Sequence, residues 1–160
     1  RSIVGLKAAD VVSVVNFLKG LPNISTNYVQ AIAFGEECPA LLHAAVFEPS
    51  ISDVALVQGP VSYYNITQSK IYDVSQSFDW GVAGALTAYD LPDLAACLAP
   101  RKLSFVIRDN AKDEQSSDDL VREQMYFTSS VFSNKAPGNL KITSMPENGI
   151  SQFITRWLSK

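Results

Sequence analysis

Tyr28-Val-Gln-Ala-Ile-Ala-Phe-Gly-Glu-Glu-Cys-Pro-Ala-Leu-Leu-His-Ala-Ala-Val46 is the stretch on which the fold turns. Tyr28 to Phe34 is β-rich with apolar residues on both faces, the pattern of a buried strand of a parallel sheet. Gly35 to Pro39 is a sharp turn, with Pro39 at the start of the helix that follows, where its missing N–H costs nothing. Ala40 to Val46 reads as a small-residue helix able to lie close against a sheet. A strand, a tight turn and a helix in this order form the outline of an elbow that lifts one side chain above the sheet. The pattern for such an elbow is Gly-x-Ser-x-Gly. Here the five positions are Gly35, Glu36, Glu37, Cys38 and Pro39, so Glu37 stands where the pattern has serine.

Outward from this stretch, strands and helices alternate. Gly5 to Lys19 reads as a helix with an apolar face of Val11, Val12, Val14, Val15, Phe17 and Leu18. Gly20 is placed as the C′ residue that ends it, and Pro22 prevents it from resuming. Asp53 to Gln58 reads as a second strand. Asp90-Leu-Pro-Asp-Leu94 starts a helix with Asp90 as N-cap. Leu103 to Ile107 is a third strand, Asp119 to Phe132 a helix, Leu140 to Ser144 a fourth strand, and Ile150 to Leu158 a closing amphipathic helix. Helix and four strands, each strand followed by a helix, predict an α/β fold. Its parallel sheet of about four strands is covered by helices on both faces, in one domain spanning 1–160. Ligands in such folds sit beyond the carboxyl ends of the strands, which directs attention to loops 35–39, 59–65, 108–116 and 145–149.

Composition narrows the function classes. Hydrophobic residues make up 47% and charged residues 18% of 160 positions, with a net charge of -3. No basic cluster is present, so nucleic acid is not an expected partner. No apolar run reaches the ~20 residues needed to cross a bilayer. No leader pattern opens the stretch, and Arg1 reads as a fragment or processed start. Cys38 and Cys97 make neither a disulfide framework nor a metal cluster. Asn23-Ile-Ser25 and Asn65-Ile-Thr67 fit the glycosylation triplet, which is common by chance. No cofactor motif is found.

A second run carries a family likeness. Gly84-Ala-Leu-Thr-Ala-Tyr-Asp-Leu-Pro-Asp-Leu-Ala-Ala-Cys-Leu-Ala-Pro-Arg101, followed by a hydrophobic strand, resembles a passage in α/β-hydrolases of the acetyl xylan esterase type. Leu41-Leu-His-Ala-Ala45 resembles their post-elbow helix. The resemblance implies that the chain matches the second half of that fold, its strands corresponding to the fifth to eighth of eight. It places the nucleophile on Glu37, the acid near Asp109, and the histidine at Asn148, beside Gly149. By this alignment the triad is degenerate. The resemblance also implies a link to polysaccharide breakdown and a periplasmic or secreted setting.

The remaining candidates each have a structural reading beside the chemical one. His43 is the only histidine and lies on the helix leading away from the elbow, so a packed structural role is expected. Cys38, at a helix start, is a candidate displaced thiol nucleophile or a buried thiol. Glu36 and Glu37 are a candidate general-base pair or helix-start carboxylates favoured by the dipole. The elbow backbone suits glutamate poorly, so the turn is expected to have relaxed. Cys97 is expected in the core. Asp109, Asp113 and Glu114 lack calcium-loop spacing and read as a solvated loop. Tyr63, Tyr64, Tyr72, Phe78 and Trp80 are candidates for sugar stacking or for packing over the sheet.

Three functions follow as expectations. The first is a non-catalytic α/β-hydrolase-like portion of an esterase-related protein. The second is an active carboxylic ester hydrolase completed by another segment or subunit. The third is a sugar or small-ligand binding module using Tyr63, Tyr64 and Trp80. Strand 28–34 should present a bare edge, predicting a homodimer or contact with a missing N-terminal half.

Overall fold

The computed structural model describes residues 2–23, 28–68, 79–108 and 118–159. The elements are α1 (Ile3–Lys19), β1 (Val29–Phe34), α2 (Cys38–Phe47), β2 (Ile51–Val57), α3 (Tyr63–Gln68), α4 (Leu91–Cys97), β3 (Lys102–Arg108), α5 (Asp118–Gln124), α6 (Tyr126–Lys135), β4 (Leu140–Met145) and α7 (Ile150–Leu158). Single 3₁₀ turns occupy Gly35–Glu37, Ala85–Thr87 and Glu147–Gly149. The four strands pair in the order β1-β2-β3-β4, all parallel. The fold is therefore the expected α/β arrangement.

Side-chain alternation assigns the layers. Val54 and Leu56 on β2 join Ala33, Leu103, Phe105 and Ile107 in one core with Leu41, Leu42 and Ala45 of α2. α1 packs on α2, α2 on α4, and α4 on α6 along this face. Asp53, Ala55 and Val57 alternate with these and point to the other face. There Trp157 of α7 donates its indole N–H to Asp53 Oδ1 at 3.2 Å. A register shift opposite Val29 and Gln30 inserts Ser52, so Ile51 and Val54 both face the core while Asp53 faces away. Residues 53–57 are buried throughout, as a two-sided strand requires.

Several boundaries differ from the sequence reading. α1 begins at Ile3, because Ser2 caps it by accepting from the Gly5 N–H at 3.0 Å. Gly20 keeps right-handed geometry (φ −81) and closes the helix with a bond to the Phe17 carbonyl. No left-handed cap forms. The buried stripe of α1 is Val4, Ala8 and Val15, whereas Val14 and Phe17 of the expected apolar face are exposed. The single helix expected over 119–132 is two, α5 and α6. Met125 sits between them at φ −91, ψ 8, a bridge conformation that bends the path while its side chain is buried and its N–H still donates to the Val121 carbonyl at 2.9 Å. Cys97 is exposed rather than in the core. α4 buries Leu91, Pro92, Ala95 and Ala96, and position 97 falls off that stripe.

Asp90 and Arg101 hold the connections. The Asp90 carboxylate caps α4 by accepting from the Leu91 N–H at 2.6 Å. It also accepts from the N–H groups of Tyr63 and Tyr64 at the start of α3, and from the Ser62 hydroxyl at 2.6 Å. Arg101 Nη1 donates to the carbonyls of Ala45, Glu48 and Ile51, closing the C-terminus of α2 onto the start of β2.

Candidate functional site: the elbow and its surroundings

Gly35 takes φ +51, the left-handed conformation that lets the chain leave β1. The next residues relax into the 3₁₀ turn. Glu37 lies at φ −83, ψ −13, an ordinary helical conformation, and caps α2 without a side-chain bond. Its carboxylate instead pairs with Lys7 of α1, Nζ to Oε1 at 2.6 Å, and the side chain is 57% exposed. The same contact raises the Lys7 ammonium above its ordinary pKa. At Glu37 this chain holds a surface ion pair.

Cys38 is 2% exposed. Its Sγ lies 3.4 Å from the Ala33 carbonyl and 3.6 Å from that of Val57. Gly59 presses on it from the end of β2, where a Cβ would come within 2.4 Å of the Cys38 Cβ. Burial, with the nearby Glu37 charge adding to it, pushes the thiol up to about 12. Thiolate is therefore disfavoured despite the helix start.

His43 is half-buried and both ring nitrogens are engaged. Nδ1 lies 2.6 Å from the Pro39 carbonyl, which can only accept, so Nδ1 carries the proton. Nε2 then accepts from the Tyr89 hydroxyl at 2.8 Å, and the rings meet edge-on with centroids 5.6 Å apart. Burial lowers the imidazole pKa. Neither nitrogen meets Glu37 or Cys38.

Asn148 is exposed in the turn between β4 and α7. Asp109, Asp113, Glu114, Tyr72 and Phe78 lie outside the described residues. Of the aromatic candidates, Tyr63 is buried and stacks on Trp80 with centroids 6.2 Å apart, its hydroxyl donating to the Trp80 carbonyl. Tyr64 is exposed. Tyr63 and Trp80 line a groove of about 390 Å³ with Gly84 and Leu86. One face of Trp80 is committed to Tyr63, which makes Tyr63 a packing residue.

Sequence reasoning missed the partners that settle these roles. Lys7 is thirty positions from Glu37, and Tyr89 forty-six from His43. No local pattern links such positions. It also missed Gln58, at the carboxyl end of β2. Among the described residues Gln58 alone combines a side chain with positive φ (56). Its backbone N–H donates to the Val106 carbonyl at 2.7 Å, which holds it in that conformation.

No protein-family model matches this sequence, and no curated protein matches it. Solved structures do match. A glucuronoyl esterase from Solibacter usitatus aligns with a TM-score of 0.63 at 12% identity, over 95% of this chain and 47% of that one. A methylesterase aligns at 0.67 and 16%, over 99% and 37%. A CE15 glucuronoyl esterase from Teredinibacter turnerae aligns at 0.63 and 13%, over 96% and 46%. The chain thus spans half or less of these structures. What they share with it at such identity is the fold, that of α/β-hydrolase esterases, represented here by a four-stranded part.

Proposed function

We propose that this chain is a non-catalytic portion of an esterase-related α/β-hydrolase scaffold. It corresponds to the C-terminal half of that fold and is linked to polysaccharide breakdown. One observation carries the reading: Glu37, Cys38 and His43 are each held in a structural contact. Glu37 is paired with Lys7, the Cys38 thiol is buried and protonated, and His43 is bound on both nitrogens away from them. Acyl transfer needs a nucleophile and a base in contact, and losing such a pair costs ~10⁴ to 10⁶ in turnover. The polysaccharide link and the acetyl xylan esterase kinship rest on the likeness of the run 84–101 and on neighbours described as glucuronoyl esterases. The test is hydrolysis of p-nitrophenyl acetate and of methyl glucuronate by the purified chain. Rates equal to buffer are expected. Turnover abolished by Glu37→Gln or Cys38→Ala would overturn the proposal.

A second reading is favoured by length. The chain covers about half of the esterases it matches, so a further segment or subunit could supply a serine and a histidine to the face beyond the strand ends. Turnover arising only in a longer polypeptide, or on addition of a second chain, distinguishes this reading from the first.

A further inference from the structure

A hollow lies between the carboxyl end of β4 and α7, on the face of the sheet opposite the elbow helix. Met145, Gly149, Gln152, Phe153, Arg156 and Trp157 line its volume of about 240 Å³. It stands at the end of a parallel sheet where ligands collect. Gln152 and Arg156 lie one helical turn apart, as do Phe153 and Trp157, so a polar row and an aromatic row of α7 meet in the same hollow. The apolar row is fixed. Trp157 is 1% exposed and its indole N–H is taken up by Asp53 Oδ1, which leaves the ring as a floor. Met145 and Phe153 are half-buried. The polar row is not fixed. Arg156 and Gln152 are exposed, and among the described residues neither side chain has a hydrogen-bond or ion-pair partner. Lys7, Lys19 and Arg101, by contrast, are each bound within the chain. Glu147 of the adjoining turn does not line the hollow.

We propose that this hollow binds a small carboxylic acid, its carboxylate held by Arg156 and Gln152 and its apolar body resting on Trp157, Phe153 and Met145. A planar guanidinium presents two parallel N–H groups that match the two oxygens of a carboxylate. The Gln152 amide adds a further donor from the same side of the helix. Charge complementarity selects an anion. The apolar floor selects one that carries a carbon body rather than a bare inorganic ion. At ~30 Å³ per water the hollow has room for about eight waters, which sets the occupant at the size of one aromatic ring with its carboxylate and excludes an oligomer. The elbow takes no part in this site, so the proposal is independent of the catalytic reading above.

Titration of the purified chain with benzoate tests it, followed by the Trp157 indole and Gln152 amide resonances in heteronuclear NMR spectra. Saturable shifts of both groups are expected. Benzamide, the uncharged counterpart, and inorganic phosphate, an anion without an apolar body, should each bind at least about tenfold more weakly. Arg156→Gln should weaken benzoate by at least about tenfold and leave the thermal midpoint unchanged. Arg156→Lys keeps the charge in the last turn of α7 but not the planar fork, and should recover only part of the affinity. Full recovery by lysine would overturn the paired-donor geometry. An absence of saturable shifts, equal affinity for benzamide, or indifference to Arg156→Gln would overturn the proposal. Phosphate bound as tightly as benzoate would overturn it equally, in favour of a bare anion site.

Discussion

Replacing Asp90 with alanine should be the most damaging polar substitution among the described residues. The carboxylate serves two helices at once. It accepts from Leu91 N–H at the start of α4 and from the N–H groups of Tyr63 and Tyr64 at the start of α3. Loss of an N-cap costs ~1 kcal/mol for each helix. The Ser62 hydroxyl, 0% exposed and 2.6 Å from Asp90 Oδ2, would lose its acceptor, and an orphaned buried group costs ~1–3 kcal/mol. Together these give a destabilisation of about 3–5 kcal/mol, a large share of the ~5–15 kcal/mol of a typical domain. For a chain of this size the thermal midpoint should fall by about 10 °C. Urea unfolding followed by far-ultraviolet circular dichroism measures the change, with near-ultraviolet dichroism reporting the Tyr63–Trp80 stack beside the cap. Asp90→Asn, which keeps an acceptor, should recover more than half of the loss. A loss below 1 kcal/mol for the alanine variant would refute the reasoning that one side chain holds both helix starts.

Three further outcomes are expected. The Glu48 carboxyl is held down at about 2, first by the Lys19 ammonium at 2.6 Å and then by Ser50. A depressed folded-state value stabilises the protein above the unfolded carboxylate pKa of about 4.3 and loses that contribution as pH falls toward 2. Glu48→Gln should therefore flatten the stability profile between about pH 4.5 and 2 in acid titrations followed by fluorescence. Ellman's reagent at pH 8 should find one rapidly reacting thiol in the native chain, the exposed Cys97, and two in denaturant. Rapid reaction of both in the native state would contradict a Cys38 thiol raised to about 12 by burial. Gly59→Ala would drive a Cβ to within 2.4 Å of the Cys38 Cβ and should cost ~1–3 kcal/mol in urea unfolding, because neither backbone can yield freely.

The elements and their order were legible because they rest on local signals. Largely apolar, β-rich runs mark β1 and β2, Pro39 marks the start of α2, and Asp90 with Pro92 marks the start of α4. Alternation of strand and helix then dictates parallel pairing, since each crossover must return to the same end of the sheet. The absence of serine and histidine at the positions the resemblance assigns is likewise a property of the chain alone. Tertiary structure decided the rest. Lys7 meets Glu37, Tyr89 meets His43, and Asp90 serves a second helix because the fold brings together positions that lie 26 to 46 residues apart. It also decided which side of α1 is buried. Val, Leu and Phe occur on two sides of that helix, and only the placement of α2 determines that Val4, Ala8 and Val15 lie inside while Val14 and Phe17 face outward. Periodicity reports that a face is apolar; what covers it depends on contacts that no short-range pattern encodes.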